Sequence, residues 1–380
     1  MQLKYRSGKK PKDLSLYYHL EDDIKKYADA IIFLIYGGRF TGKTFSSLEY
    51  TIKNNMKFIF MKRTNEDVDQ LVAESKHKED ADIDKEDVSL DPFVDLNECF
   101  QGINYKPFKI QSGLAAYYNC DAKNNPVGSI KGYIMSLNKV AKYKGMGALK
   151  TCDIIIFDEF VPTIYQIIRK GEGKALLDLY LTVTRDREMR GLPPIILVCL
   201  ANADNVQSPT TEELNITDII ADMEKAGISI KYLEDRFILI HKLNDNKKQM
   251  QAQAKTKIYK TMQNTPWASM SLENKFAYND FSDVQKKMKM KNFRAMASFS
   301  YKNEKYYIYI RDFDSFYYIT SVKSDRPVDH YDLSREAVQN KFYYDFVIDI
   351  KNSWQSEYAV FSKYTLKDLF INYRKIYNIY

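Results

Sequence analysis

The feature that most constrains this chain is a glycine-rich loop between an apolar run and a predicted helix. Residues 30–36 read AIIFLIY, a short continuous run next to glycine, which predicts a strand buried on both faces. Residues 37–44 follow as GGRFTGKT, and residues 43–54 are predicted to form a helix. Glycines let such a loop point several backbone N–H groups at one anion, and the helix start adds its dipole. The sequence therefore predicts a P-loop that binds phosphate.

The individual side chains of this loop suit a nucleoside triphosphate. Lys43 can reach the β- and γ-phosphates, the Thr44 hydroxyl can ligate Mg²⁺, and Arg39 is a further candidate for phosphate contact. The alternative is a glycine-rich turn with an exposed lysine. We predict that ATP and Mg²⁺ bind here, and the predicted nucleotide-binding residues are Gly37, Gly38, Arg39, Phe40, Thr41, Gly42, Lys43 and Thr44.

Two acids follow a second buried strand. Residues 153–157 (DIIIF) are predicted to form this strand, and Asp158 and Glu159 follow them directly. Such a strand delivers the residues at its end to the carboxyl edge of the sheet, where ligands bind. Asp158 would hold Mg²⁺ as the partner of Thr44. Glu159 would polarise the attacking water as a general base, the alternative being a solvated loop acid. The pair predicts ATP hydrolysis rather than nucleotide binding alone.

Three polar residues are candidates for the γ-phosphate. Asn202 comes after the apolar run 195–200 and is predicted to sense this phosphate, although asparagine is also common in simple turns. Arg185 and Arg187 follow an amphipathic helix at residues 174–184. Arginine stabilises charge on a transferring phosphoryl group and is often supplied by a second subunit, whereas the alternative is a set of surface ion pairs.

Composition narrows the class of protein. Hydrophobic residues make up 45% and charged residues 28%, as in soluble globular proteins. No apolar run approaches about 18 residues, so we expect no membrane span. The basic residues near the start are not followed by an apolar segment, so we expect no secretory signal. The net charge of +7 permits a polyanionic partner without requiring one.

The predicted fold class is α/β, and the chain divides into three parts. Residues 1–205 contain a strand–helix–strand unit and are predicted to form a P-loop ATPase domain of the ASCE type with a parallel sheet. Residues 206–264 are predicted to be a polar helical linker. Residues 265–380 are predicted to form a smaller α+β domain, because residues 293–322 alternate with period two and indicate an antiparallel meander.

Several motifs together resemble one family. GGRFTGKT, FIFMKRTNEDV, IIIFDEF, VTRDRE and VCLANA occur in this order along residues 31–203, and MSLENKF follows at residues 270–276. In order and spacing they resemble the DNA-packaging (encapsidation) ATPases of small, short-tailed bacteriophages, the podovirus packaging motors. The P-loop and the acid pair are shared with many ATPases, whereas VTRDRE, VCLANA and MSLENKF are more discriminating.

The resemblance implies a motor that drives double-stranded DNA into an empty capsid. Such a motor is a ring, expected to be a homopentamer, which works in the host cytoplasm and docks transiently on the capsid portal. Some relatives dock through a structured RNA, which makes RNA a candidate partner. Carried over by motif, Arg185 looks like the finger that reaches the ATP of a neighbouring subunit.

A motor of this kind must also hold DNA. Lys139, Lys142 and Lys144 lie in the stretch KVAKYK, which precedes Gly145 and Gly147. A basic loop flanked by glycines can contact phosphates without reading sequence, and it can move during ATP turnover. These lysines are therefore the predicted DNA contacts, the alternative being a solvated basic turn.

The resemblance further implies an RNase H-like nuclease fold for the C-terminal domain. Such a nuclease needs several carboxylates that converge on two metal ions. Residues 293–301 contain no acid, and Asp312 and Asp314 lie together in a predicted turn. We therefore expect an inactive nuclease. Two alternatives stay open: a terminase with an active nuclease in this domain, and an assembly protein that is gated by nucleotide without motor activity.

Overall fold

The structure is a computed structural model in which the chain divides into two compact units. Unit 1 comprises Met1–Ile216 and Ala226–Tyr278, and unit 2 comprises Thr217–Lys225 and Asn279–Tyr380. Among the helices described, none has the length and apolar character needed to cross a bilayer. The structure describes residues 3–38, 41–73, 91–143, 145–162, 168–169, 171–202, 206–243, 247–262, 265 and 281–379.

In the described part of the chain, unit 1 contains a mixed sheet of nine strands. The strands are β1 (Ile32–Gly37), β2 (Phe58–Lys62), β3 (Tyr105–Gln111), β4 (Leu114–Cys120), β5 (Pro126–Ser136), β6 (Ile154–Asp158), β7 (Ile196–Asn202), β8 (Ile230–Leu233) and β9 (Ile238–Leu243). Their order across the sheet is β3-β4-β5-β2-β6-β7-β1-β9-β8. From β5 to β9 all neighbours are parallel, and β3, β4 and β8 add antiparallel edges.

The helices of unit 1 are mostly short. They are α1 (Leu20–Lys26), α2 (Lys43–Lys53), α3 (Asn65–Ala73), α4 (Val94–Cys99), α5 (Val140–Tyr143), α6 (Glu172–Thr184), α7 (Pro209–Glu213) and, after α8 (Thr217–Ala226) of unit 2, α9 (Lys247–Ala254) and α10 (Lys257–Thr261). These positions confirm the predicted strand–helix–strand unit, since α2 connects the parallel strands β1 and β2.

The centre of the sheet is apolar on both faces, as the sequence predicts. Every residue of β1 is buried, and β6 and β7 are buried except at their ends. Close packing also explains one glycine: a Cβ on Gly132 of β5 would lie 2.5 Å from the ring of Phe58 on the facing strand β2. That ring is fully buried and packs on Phe93, with 5.2 Å between the ring centroids.

The structure corrects the predicted helical linker at residues 206–264. This stretch contains β8 and β9, and β9 pairs in parallel with β1 in the middle of the sheet. The physical reason is the apolar run at residues 237–242 (FILIHK), which buries Ile238–Ile240 beside β1. The compact unit that holds the sheet therefore includes residues well beyond the predicted boundary at residue 205.

Unit 2 holds a second sheet, which has five strands in the described residues. These are β10 (Phe293–Tyr301), β11 (Glu304–Arg311), β12 (Phe316–Thr320), β13 (Asp329–Asp332) and β14 (Ala359–Phe361), in the order β13-β10-β11-β12-β14. The antiparallel run β10-β11-β12 confirms the predicted meander. The later helices are α11 (Glu336–Phe342), α12 (Ile348–Gln355), α13 (Tyr364–Ile371) and α14 (Tyr373–Tyr377), with a π-helical turn, Tyr343–Val347, between the first two.

Candidate functional site

The glycine-rich loop connects the end of β1 to the start of α2. Gly37 closes β1, and a Cβ there would lie 2.8 Å from the Cβ of Leu243 on the neighbouring strand β9. Gly42 precedes α2 with a φ of 83°, in the left-handed region that favours glycine. Both positions therefore require glycine for reasons of local geometry, one because β9 approaches closely and the other because of its backbone conformation.

Lys43 points back into the loop that precedes it. Its ammonium group donates hydrogen bonds to the carbonyl oxygens of Gly37 (3.2 Å) and Gly38 (2.7 Å) and to the hydroxyl of Thr41 (3.0 Å). The side chain is buried although it is charged. Its charge is thus fixed inside the loop, at the N-terminus of α2, where an anion would bind.

Asp158 faces the loop from the end of β6. Its Oδ1 accepts a hydrogen bond from the Thr44 hydroxyl at 3.3 Å, and its Oδ2 lies 2.8 Å from the ammonium nitrogen of Lys62. Burial lowers the pKa of Lys62, but the negative charges of Asp158 and Glu159 outweigh that effect and hold the pKa above its ordinary value. The structure thus brings together the predicted metal-binding pair and adds a cation beside it.

Lys62 is a residue that the sequence reasoning missed. It is the last residue of β2, which pairs with β6 in the sheet. Two parallel neighbours end at the same edge, so their last side chains meet. The motif FIFMKR carried the signal, but using it required knowledge that β2 and β6 are neighbours.

Glu159 has an unusual backbone conformation that a buried arginine supports. Its φ is 62°, a value that non-glycine residues seldom adopt and that occurs at functional sites. Arg63 donates a hydrogen bond to the Glu159 carbonyl oxygen at 2.8 Å and a longer one to that of Phe160 at 3.4 Å. The same guanidinium group forms an ion pair with Glu172, the first residue of α6, and both side chains are only 2% exposed.

Asn202 lies between the loop and the acids. It ends β7, the strand between β1 and β6, and its register partner on β1 is Gly37. The loop, the acids and this asparagine surround one cleft of about 350 Å³. The residues that line it are Thr41, Gly42, Lys43, Thr44, Phe45, Asp158, Glu159, Ala201 and Asn202. Of the predicted binding residues, Arg39 and Phe40 lie outside the described part of the chain.

Arg185 does not line this cleft. It follows α6 directly, is exposed, and donates from Nε to the carbonyl oxygen of Thr182 at 3.0 Å. The 13 residues of α6 span about 20 Å, and the helix starts at Glu172, beside the backbone of Glu159. Arg185 therefore follows the opposite end of α6 from Glu172, which shares Arg63 with the backbone of Glu159.

Arg187 has a different environment from Arg185. Its guanidinium group donates to the carbonyl oxygen of Cys152 at 3.0 Å and lies 3.3 Å from Asp153, just before β6 begins. These contacts hold the amino-terminal end of β6, whereas the acids lie at its carboxyl-terminal end. Arg187 therefore contacts the backbone and an acid of its own chain at the start of β6.

The predicted DNA contacts are separate from the cleft. Lys139 donates to the carbonyl oxygen of Ser112 at 2.8 Å, Lys142 is exposed on the short helix α5, and Lys144 lies outside the described residues. The segment around them is helical rather than an open loop. The buried side chain of Tyr143 anchors it with a hydrogen bond from its hydroxyl to a backbone carbonyl oxygen at 2.7 Å.

Comparisons with solved structures support the fold. The viral genome packaging motor assembly of bacteriophage Phi-29 superposes with a TM-score of 0.58 at 17% identity, covering 95% of this chain and 98% of that chain. The Phi-28 gp11 DNA packaging motor gives a TM-score of 0.55 at 15% identity, covering 95% and 96%. At such identities the likeness establishes the fold alone. A search of curated proteins found no match.

A family model decides the membership. The model described as Podovirus DNA encapsidation protein (Gp16) matches residues 127–373, well over half of the chain. This range begins in β5 and includes the acids, Arg185 and Asn202, and it extends through most of unit 2. It also includes the MSLENKF motif, although residues 270–276 lie outside those that the structure describes. The chain belongs to the family of podovirus DNA encapsidation proteins.

Proposed function

We propose that this protein is an ATP-hydrolysing motor that moves double-stranded viral DNA into a preformed capsid. Membership of the encapsidation family supports the role in DNA packaging. The observation that carries the enzymatic part is the cleft in which the loop of Lys43 faces Asp158 and Glu159. A site that only bound nucleotide would need the loop, whereas hydrolysis also needs an acid beside the terminal phosphate.

The residues present fit a triphosphate with its metal. The N-terminus of α2 and the buried ammonium group of Lys43 provide the positive potential that phosphates require. The Thr44 hydroxyl and the Asp158 carboxylate are oxygen donors of the kind that Mg²⁺ prefers, and they lie 3.3 Å apart. Bound Mg²⁺ would neutralise charge on the β- and γ-phosphates. The ion pair with Lys62 holds the Asp158 carboxylate in its orientation beside this site.

Glu159 is the proposed general base, and Asn202 the proposed sensor. Glu159 lines the cleft, and the hydrogen bond from Arg63 to its carbonyl oxygen supports its backbone there. Asn202 lines the same cleft, so its amide can hold the attacking water or a γ-phosphate oxygen. The strand order supports an ATPase of the ASCE type, because β7 separates the strand of the loop from the strand of the acids.

The position of Arg185 supports a ring of subunits. Arg185 follows the end of α6 that is remote from the acids of its own chain, and we propose that it acts on the ATP of a neighbouring subunit. We propose the homopentameric ring, docked transiently on the capsid portal in the host cytoplasm, that the family resemblance implies, with a structured RNA as a candidate partner. Lys139, Lys142 and Lys144 remain the proposed contacts to DNA phosphates.

Unit 2 is proposed to be an RNase H-like domain without nuclease activity. Its sheet contains the antiparallel meander, but β10 carries no acid. Asp312 lies 2.6 Å from Arg294, and Asp314 pairs with Arg311 at 2.5 Å. Arginines thus neutralise the two acids of this hairpin, which supports a structural role for them rather than metal binding.

The test is Glu159→Gln in the full chain, with the exposed Glu66→Gln as the matched control. We expect ATP to bind to both variants, while Glu159→Gln loses turnover and DNA translocation and the control keeps them. If Glu159→Gln abolishes ATP turnover and leaves the biological function of the protein intact, a nucleotide-gated assembly protein is favoured instead. Metal-dependent DNA cleavage by the wild-type chain would favour the terminase alternative.

A further inference from the structure

A second cavity opens beside the glycine-rich loop, next to β9. It has a volume of about 200 Å³, and Thr41 lines both this cavity and the phosphate cleft. β7 and β9 pair with opposite sides of β1. The phosphate cleft lies on the β7 side of the loop, and the second cavity lies on the β9 side. The described residues that line the second cavity are Tyr17, Tyr18, His19, Asp22, Asp23, Thr41, His241, Leu243 and Gln249.

One wall of the cavity is fixed directly on the loop. The backbone N–H of Tyr18 donates to the carbonyl oxygen of Thr41 at 2.9 Å. Tyr17 lies over Gly42, so that a Cβ on this glycine would be 3.4 Å from the Cβ of Tyr17. The Tyr17 side chain nevertheless stays 42% exposed. An aromatic ring with accessible surface therefore lies beside the backbone that is proposed to hold the phosphates.

The opposite wall of the cavity carries a hydrogen-bonded cluster of three polar side chains, those of Tyr18, Asp23 and His241. Asp23 is buried, and its Oδ2 accepts a hydrogen bond from the Tyr18 hydroxyl at 2.8 Å and lies 2.7 Å from Nδ1 of His241. An ionised carboxylate only accepts hydrogen bonds, so Nδ1 carries the proton of the ring. In the neutral imidazole, Nε2 is then a hydrogen-bond acceptor. The Tyr18 ring packs edge-on against His241 and fixes its orientation, with 5.7 Å between the centroids.

We propose that this cavity binds the nucleobase of ATP, with Tyr17 as the aromatic surface and Nε2 of His241 as the acceptor for the exocyclic amino group. The inference rests on the proposed function, since it extends the ATP site. Together the two cavities fall within the range of about 300–1,000 Å³ that small-molecule sites occupy. Thr41 lines both, so the two cavities lie next to each other on the loop, as a ligand with a phosphate end and an aromatic end requires.

The chemistry of the polar wall also gives a base preference. Adenine presents an amino group where guanine presents a carbonyl oxygen, so an acceptor at His241 favours adenine. A carbonyl oxygen facing Nε2 would leave two acceptors without a proton between them. The preference therefore depends on the Asp23–His241 contact, which determines which ring nitrogen is protonated.

The experiment compares three ligands with Mg²⁺ on the full chain: ATP, GTP and inorganic tripolyphosphate. Loss of stacking should weaken ATP binding to Tyr17→Ala by about five- to 150-fold, while its affinity for tripolyphosphate stays within about twofold of wild type. Tyr17→Phe should retain ATP affinity. His241→Phe should lose most of the preference for ATP over GTP. Tyr344→Ala is the control, because that tyrosine is also exposed but lies in unit 2.

The outcomes separate this inference from the proposed function. If the wild-type chain binds neither ATP nor tripolyphosphate, the proposed ATP site is wrong, and the proposed base pocket is then wrong as well. If wild type binds ATP and both Tyr17→Ala and His241→Phe bind it equally well, the base lies elsewhere while the ATPase proposal stands. If Tyr17→Ala loses ATP and tripolyphosphate in parallel, Tyr17 supports the loop rather than the base, which also overturns the inference.

Discussion

Replacing Arg63 with methionine tests how Glu159, the proposed general base, is held in place. The guanidinium group makes two kinds of contact: an ion pair with Glu172, and hydrogen bonds to the carbonyl oxygens of Glu159 and Phe160. Methionine keeps much of the volume and removes both contacts. We therefore expect one loss of stability and one loss of activity, from a single change.

The magnitude of the stability loss follows from burial. Arg63 and Glu172 are each 2% exposed, so the substitution leaves a carboxylate without its cation in the interior. Breaking a buried pair in this way costs about 3–5 kcal/mol in the free energy of unfolding. For a large domain, each kcal/mol corresponds to about 2–4 °C in Tm, so Tm should fall by about 6 °C or more.

The double variant Arg63→Met/Glu172→Leu separates stability from catalysis. Apolar replacement of both partners of a buried pair is often neutral or stabilising, so most of the lost free energy should return. The carbonyl oxygen of Glu159 still lacks its charged donor, a contact worth about 1.5–3 kcal/mol. If the whole contact is lost in the transition state, that corresponds to roughly a ten- to 150-fold lower kcat, in the single and the double variant alike.

The assays are urea unfolding and steady-state ATP turnover. Arg190→Met is the matched control, because its ion pair with Asp186 is exposed and its removal should change the unfolding free energy by less than about 1 kcal/mol. A loss below about 1 kcal/mol for Arg63→Met would refute the reasoning about the buried pair. Wild-type kcat in the double variant would refute the role of Arg63 in positioning Glu159.

Three further predictions concern the subunit contact, the sheet and DNA. Mixing Arg185→Ala subunits with Glu159→Gln subunits should restore part of the ATPase activity that each variant lacks alone, and no activity at any ratio would contradict a site shared between subunits. Gly132→Ala should lower the unfolding free energy by about 1–3 kcal/mol in a urea titration, because a Cβ there meets a buried aromatic ring at 2.5 Å. Gly145→Ala is the control and should be close to neutral, because no atom lies within 4 Å of the added Cβ. Lys142→Ala should weaken DNA binding and reduce the slope of log affinity against log salt by about 1, and an unchanged slope would exclude it as a phosphate contact.

The sequence predicts well which residues meet at the carboxyl edge of the sheet, because the signals for them are local. The apolar run before Gly37 and the run before Asp158 each predict a buried strand from their own residues, and parallel strands end at one edge. A cleft that contains both Lys43 and Asp158 therefore follows from the two motifs and this rule of sheet geometry. The position of Asn202 is predictable for the same reason, since it lies at the end of a buried strand.

The residues that the sequence could not assign depend on contacts between distant segments. Arg63 meets Glu172 across 109 positions, and no spacing rule connects them. His241 meets Asp23 across 218 positions, and neither lies in a recognisable motif. The strand β9 falls within a predicted helical region because its short apolar run lies among polar residues, and only its pairing with β1 gives it a strand partner.

The place of β9 determines which fragments of the chain can be prepared. If the polypeptide is cut at residue 205 or 216, the N-terminal piece retains β1 but loses the neighbour that pairs with it along Ile32–Gly37. The open backbone of a flat, apolar strand then becomes a template for other chains, and such a piece should precipitate on expression. A fragment that continues through residue 262 retains β8 and β9, so β1 keeps its neighbour on that side of the sheet, and such a piece is suited to nucleotide soaking and titration.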